Sequence, residues 1–177
     1  SNEDEDKDKF SLDLLDTLNT LDKITICAPD LNKTIKILRE SENWIISEPF
    51  KWQAIKLKIS NFRTQLAHLS YNKLYNIKEL EKRGEILRDY GIKDMSDKIV
   101  IQNNKNKITI VLGKESRDTR YLYSFIKSEI TNEEHIYKVD IKVKELVEIA
   151  AEDWALQRFV NQPLYSIDKI SVTFKTD

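Results

Sequence analysis

Residues 22–49 read DKITICAPDLNKTIKILRESENWIISEP, and three short runs inside that stretch alternate apolar with polar side chains. Ile24 and Ile26, then Ile35 and Ile37, then Trp44 and Ile46 fall on every second position, the period that places one set of side chains on one face of an extended chain. Pro29-Asp30-Leu31-Asn32 and Glu40-Ser41-Glu42-Asn43 separate the runs, and both have turn-forming composition. Strands are therefore expected over residues 22–27, 33–39 and 43–47. Connections this short suit neighbouring antiparallel strands, because a parallel pair needs a crossover of a dozen residues or more. The fold thus opens on an antiparallel meander.

The pattern changes after Pro49. Ile55, Ile59, Phe62, Leu66 and Leu69 recur at the spacing that only a helix gathers on one face. A second helix is expected over residues 77–89 from Ile77, Leu80, Ile86 and Leu87, ended by Gly91 in the left-handed cap position, with Ile92 folded back over it. Strands return at Lys98 to Gln102 and Lys107 to Leu112, joined through Asn103-Asn104-Lys105-Asn106. A further hairpin spans 120–126 and 134–139, with Tyr121, Tyr123 and Phe125 on one face and Leu122 and Ser124 on the other. Val143, Leu146, Val147 and Ala150 then form a helical stripe that carries on through Trp154, Leu156 and Phe159, before a last strand over 167–174.

Runs of hairpin-linked strands with helices between them predict an α+β domain, antiparallel meanders packed against two or three helices. The domain is expected over residues 18–177, as two lobes, 18–92 and 93–177, meeting near residues 90–96. Residues 1–9 read as a charged leader, and Leu12, Leu15 and Leu18 as a short amphipathic turn, so that 1–17 precede the domain. The phrase Leu18-Asn19-Thr20-Leu21-Asp22-Lys23-Ile24-Thr25-Ile26 recurs as Leu164-Tyr165-Ser166-Ile167-Asp168-Lys169-Ile170-Ser171-Val172. A recurrence about 146 residues on suggests one module followed by the first strand, 167–177, of a second repeat. The expected core is Ile24, Ile26, Ile35, Ile37, Trp44, Ile46, Ile59, Phe62, Leu66, Ile108, Ile110, Leu112, Tyr137, Val139, Leu146 and Trp154.

Composition narrows the function. The 177 residues carry 29 basic and 30 acidic side chains, a net charge of −1, so no whole-chain field draws the protein to nucleic acid. Charged residues make up 33% and hydrophobic ones 40%, the balance of a folded, soluble domain. No apolar run approaches the roughly 20 residues a bilayer span needs. Cys27 is the one cysteine, which excludes an internal disulfide, and it sits in a strand where a thiol behaves as a small hydrophobe.

No residue set converges on catalysis. His68 has no partner at helical metal spacing, and Glu133-Glu134-His135 reads as a solvated hairpin end. Gly113 to Arg120 holds glycine, lysine and hydroxyls after a strand but lacks the Gly-Lys-Ser/Thr ending of a phosphate loop, so it reads as a polar hairpin. No catalytic, cofactor-binding or metal residue is therefore expected, and the chain is read as a non-enzyme. Trp52, at a helix start, and Tyr121 with Tyr123, on one strand face, are the candidate partner-binding side chains.

The order of these signals resembles a known family. Asp22-Lys23-Ile24-Thr25-Ile26, Thr34-Ile35-Lys36-Ile37, Asn43-Trp44-Ile45-Ile46-Ser47-Glu48-Pro49, Leu87-Arg88-Asp89-Tyr90-Gly91-Ile92, Ile108-Thr109-Ile110-Val111-Leu112-Gly113, Arg120-Tyr121-Leu122 and Ile136-Tyr137-Lys138-Val139 carry the likeness. Together they resemble the bacterial family called domain of unknown function 4340, from about residue 21 to residue 177. The resemblance implies a single-pass membrane anchor upstream, followed by repeated α+β modules outside the cytoplasm, often encoded beside gliding-motility-type ABC transporter components. It supplies no catalytic residues. The expectation is a non-enzymatic extracytoplasmic interaction module accessory to an ABC transporter-type assembly, with protein partners and no nucleic acid. The alternative is a binding domain for cell-envelope glycan or lipid, which requires a cleft lined by Trp52 or by Tyr121 and Tyr123.

Overall fold

The structure, a computed structural model, describes residues 2–157. Among them, alternation does what the sequence predicts. Lys23–Ala28 (β1), Lys33–Glu40 (β2), Asn43–Glu48 (β3) and the two-residue Trp52–Gln53 (β4) form one antiparallel meander. Lys98–Gln102 (β6), Lys107–Glu115 (β7), Tyr121–Ser128 (β8) and Glu133–Asp140 (β9) form another. Tyr71–Asn76 (β5), which the periodicity does not reveal, adds to the far side of β9. The two meanders join where β1 pairs with β6, so a single nine-stranded sheet runs β4-β3-β2-β1-β6-β7-β8-β9-β5 through both halves of the chain.

Register makes the core. Ile46, Ile37, Ile24, Ile101 and Ile108 stand opposite one another across five strands, and Ile35, Ile26, Ile99, Ile110 and Ile126 form a second such row. Every one of these isoleucines is buried. Branching at Cβ stiffens each side chain and suits it to packing against cross-strand neighbours on a pleated surface.

Helices cover that face. Asn2–Asn19 (α1) presents Phe10, Leu14 and Leu18, and Lys56–His68 (α2) presents Ile59, Phe62 and Leu66. Val143–Glu148 (α4) and Ala151–Trp154 (α5) add Val143, Leu146, Val147 and Trp154. The Phe62 ring meets Trp154 edge-on at 5.5 Å between centroids. All sixteen residues of the expected core are buried.

The first helix departs from the reading. Instead of a leader and a short turn there is one helix from Asn2, and its buried stripe is Phe10, Leu14 and Leu18, while Leu12 is 60% and Leu15 43% exposed. Steps of four residues keep a side chain close to the same helix face, which Leu12 and Leu15 do not share with Phe10, Leu14 and Leu18. The later stripe also ends sooner than expected: α5 stops at Trp154, Ala155 is extended, and Ala155 bridges Ala54 beside β4. Phe159 and the expected strand 167–174, with the second copy of the repeated phrase, lie outside the described residues.

Among the described residues, the β7–β8–β9–β5 half alone is covered on its second face. The helix expected over 77–89 is two pieces: Ile77–Lys82 (α3) ends before Gly84, whose φ is +68°, and Leu87–Tyr90 form a 3-10 turn. A capping box opens α3, with Glu79 N–H donating to Asn76 Oδ1 at 2.8 Å and Asn76 N–H to Glu79 Oε2 at 2.7 Å. Gly91, at φ +75°, ends the 3-10 turn as expected, and Ile92 N–H bonds Leu87 O at 3.2 Å. Leu80, Tyr90 and Ile92 of this strap pack on Val111 and Ile136.

The strap can lie so close because of Gly113. That residue does not end β7 as its position suggests; it sits inside the strand, where the pairing with β8 slips between Leu112 and Glu115. A Cβ at Gly113 would stand 2.2 Å from Tyr90 O and 2.7 Å from Tyr123 O, closer than any carbon can approach. The strap is also tied polarly. The Tyr90 hydroxyl donates to the Glu85 carboxylate, which also accepts from Arg83 Nε at 3.1 Å, and the Arg83 guanidinium lies 4.4 Å from the Tyr75 ring centre. Burial, with Glu85 as acceptor, pushes the Tyr90 hydroxyl up to about 12.

Candidate functional site

Positions 13, 16, 17 and 20 repeat at i, i+3, i+4 and i+7, so Asp13, Asp16, Thr17 and Thr20 line one side of α1 and its exit. This side meets the β6–β7 turn. Asn106 Nδ2 donates to Thr17 Oγ1 and to Ser128 Oγ, both at 3.2 Å, and Asn103 Nδ2 donates to Thr20 Oγ1 at 2.8 Å. The hydroxyls pass the chain on, Thr17 to Asp13 O at 2.7 Å and Thr20 to Asp16 O at 3.1 Å.

The amide oxygens are equally occupied. Asn103 Oδ1 accepts from Lys105 N–H and Asn106 N–H, and Asn106 Oδ1 from Lys107 N–H and Ile130 N–H. Asn103 is only 8% exposed and Asn106 7%, so each would be costly to leave unpaired. This lattice fixes three separate segments to one another: the end of α1, the β6–β7 turn, and the β8–β9 connection.

Beside the lattice lies a cleft of about 610 Å³. Asp13, Asp16 and Asn19 come to it from α1, Asn104 and Lys105 from the β6–β7 turn, and Asp22 and Arg39 from β1's approach and β2. Asp22 and Arg39 neutralise each other at 2.8 Å. Burial raises the Asp13 carboxyl above its ordinary value, with Lys9 pulling the other way. Asp16, Asn19, Asn104 and Lys105 spend no side-chain group on a hydrogen bond or ion pair among the described residues. Ile130 is the one apolar side chain in the lining. Sequence reasoning found the Asn-rich turn as a turn, yet the cleft draws on distant segments and no local spacing announces it.

The candidate partner-binding side chains stand elsewhere, and none of them lines the cleft. Trp52 is 39% exposed on β4, its indole N–H donating to Leu156 O at 2.8 Å. Tyr121 and Tyr123 lie on β8, six strand steps away, roughly 29 Å at the usual spacing. Tyr123 is half-buried under the strap, edge-on to Tyr90 at 5.1 Å, with Lys138 Nζ 5.8 Å from its ring centre. The structure therefore brings Tyr121 and Tyr123 onto one face and leaves Trp52 at the opposite side of the sheet.

The remaining candidates resolve into local structure. His68 is exposed at the end of α2 and its Nδ1 contacts Thr64 O at 2.7 Å. Strand alternation puts Glu134 on the face opposite Glu133 and His135; Glu134 pairs with Lys127 at 2.9 Å and Glu133 with Lys9 at 3.9 Å. In the 116–120 turn, Ser116 Oγ donates to Asp118 Oδ1 at 2.6 Å and accepts from Tyr121 N–H at 3.2 Å. That is the bonding of a hairpin turn. Among the described residues no three His, Cys, Asp or Glu side chains are grouped to hold a metal ion, and no helix is long and apolar enough to cross a membrane.

Compared with known proteins, the chain matches no family model, no curated protein and no solved structure at a significant level.

Proposed function

We propose that this chain is a non-enzymatic interaction module, accessory to an ABC transporter-type assembly on the extracytoplasmic side of a bacterial membrane. One observation supports the interaction reading: the second face of β3, β2, β1 and β6 carries no helix among the described residues. Thr25, Cys27, Leu38, Ile45 and Val100 stand half-exposed there and belong to neither buried cluster. That face mixes these apolar groups and the Thr25 hydroxyl with Lys23, Lys36 and Lys98, a mixture that suits a polar, non-obligate docking surface on a rigid sheet. The setting, with its upstream anchor and transporter neighbours, rests on the family resemblance of the sequence.

The test is affinity capture with the full-length, membrane-anchored protein that the resemblance implies. Recovery of transporter subunits, lost when Leu38 and Val100 are both replaced by Asp in a variant that still folds, is the expected result. A bound small molecule with no protein partner, or capture indifferent to those two substitutions, would sink the reading.

A further inference from the structure

We infer that the cleft beside the Asn103 and Asn106 lattice is a binding site for a neutral polyhydroxyl ligand, a short saccharide of one or two rings. Its volume, about 610 Å³, falls inside the ~300–1,000 Å³ range of small-molecule sites. The floor is pre-organised, because the amides of Asn103 and Asn106 and the hydroxyls of Thr17 and Thr20 are already bonded to one another. Ligand binding therefore meets a floor that needs no rearrangement, which lowers its entropic cost.

Lining chemistry selects the class. An apolar or lipid chain would find Ile130 alone to pack against, so the site has too little apolar wall for it. An anion would face Asp13 and Asp16, with Lys105 the only cation not already paired. A metal ion would not find its ligands gathered: among the described residues no three carboxylate, His or Cys side chains are grouped to hold one, and Asp22, the third carboxylate of the lining, is paired with Arg39. What the walls offer is a mixture: carboxylate acceptors at Asp13 and Asp16, amides that both donate and accept at Asn19 and Asn104, and an ammonium donor at Lys105. Each hydroxyl of a saccharide is both donor and acceptor, so vicinal hydroxyls satisfy carboxylates and amides together without bringing a charge into the cleft. No aromatic ring lines the site, so binding runs through hydrogen bonds alone and is weak, with a Kd of about 1 mM.

Amide chemical-shift mapping of the whole chain with two neutral probes, maltose and N,N′-diacetylchitobiose, tests the inference, with free lysine and free glutamate as charged controls. The expected result is saturable shifts for at least one saccharide, confined to residues 13–22, 39, 103–107 and 130. Asp16→Ala and Asn104→Ala together should weaken that binding at least tenfold while leaving thermal unfolding unchanged, since neither side chain is bonded among the described residues. Added salt should leave the affinity unaltered, as it does for an uncharged ligand. The inference is overturned if neither saccharide gives saturable shifts, if the shifts map elsewhere, if only the charged controls bind, or if the double variant binds as tightly as the parent. Partner capture by the open sheet face is untouched by these two substitutions, so the two readings fail separately.

Discussion

Among the described residues, strands β3, β2, β1 and β6 bury isoleucine on one face and leave the other open, while β7, β8, β9 and β5 are covered on both. The first sets of alternate residues are alike, a continuous row of aliphatic side chains under α1 and α2. The second sets differ. Lys36, Thr25 and Val100 stand opposite one another in the open half, whereas Val111, Tyr123, Phe125 and Ile136 meet the strap. Period two makes the strand, and the chemistry of the off-phase residues decides whether a second layer forms above it.

The comparison can be broken in four ways. Phe62, 1% exposed beneath the shared helical layer, should cost ~3–5 kcal/mol on replacement by Ala, measured by urea unfolding. A loss below about 1 kcal/mol would mean that α2 does not seal the core. Gly113→Ala should cost ~1–3 kcal/mol, because the new methyl must push Tyr90 O aside. Its mark is faster amide exchange in residues 87–92, while β1 and β2 stay protected; uniform loosening would deny that the strap is a separate layer.

Acid should act on the same strap. Hydrogen bonds from Arg83, then Tyr90, hold the Glu85 carboxyl below its ordinary 4.5. A carboxyl lowered by folding stabilises above its unfolded value, and this contribution disappears as pH falls through the folded one. The protection of the strap amides, relative to the unfolded chain at the same pH, should therefore fall in acid by a modest amount because the pair is exposed, and Glu85→Gln should flatten that dependence. The smallest effect belongs to the open half: Val100→Thr should change stability by less than about 0.5 kcal/mol. A loss as large as that of a core valine would show that something covers this face.

Much of this was legible in the residues. Ile24, Ile26, Ile35 and Ile37 declare their strands because each strand has one wet and one dry side, so polarity and geometry share a period. β5 escapes the same reading, since every residue from Tyr71 to Asn76 is half-buried and an edge strand between layers has no dry side to mark. The helix over 77–89 fails at Gly84, whose positive φ breaks a pattern that apolar spacing alone would continue. Leu12, Leu15 and Leu18 mislead because two of the three are merely exposed leucines, and Phe10 sits behind a run of charges. As for the cleft, Asp16 and Asn104 are ordinary surface residues until the fold places α1 beside the β6–β7 turn.

The joint between β1 and β6 sets a timetable for folding. Within each meander a strand meets its partner across a turn of a few residues, but Lys23 pairs with Gln102, about 80 positions away, and closing a loop of that length costs roughly 4 kcal/mol of chain entropy. Each four-stranded ribbon can assemble on its own while the isoleucine rows remain interrupted at their middle. The two halves of those rows must then find each other in register, because a slip of one residue would turn every isoleucine of one ribbon away from the helices. Folding therefore waits at the centre of the sheet rather than at its edges, and amides of Val100 and Gln102 facing β1 should gain protection later than those linking β1 with β2. Simultaneous protection would place the slow step elsewhere.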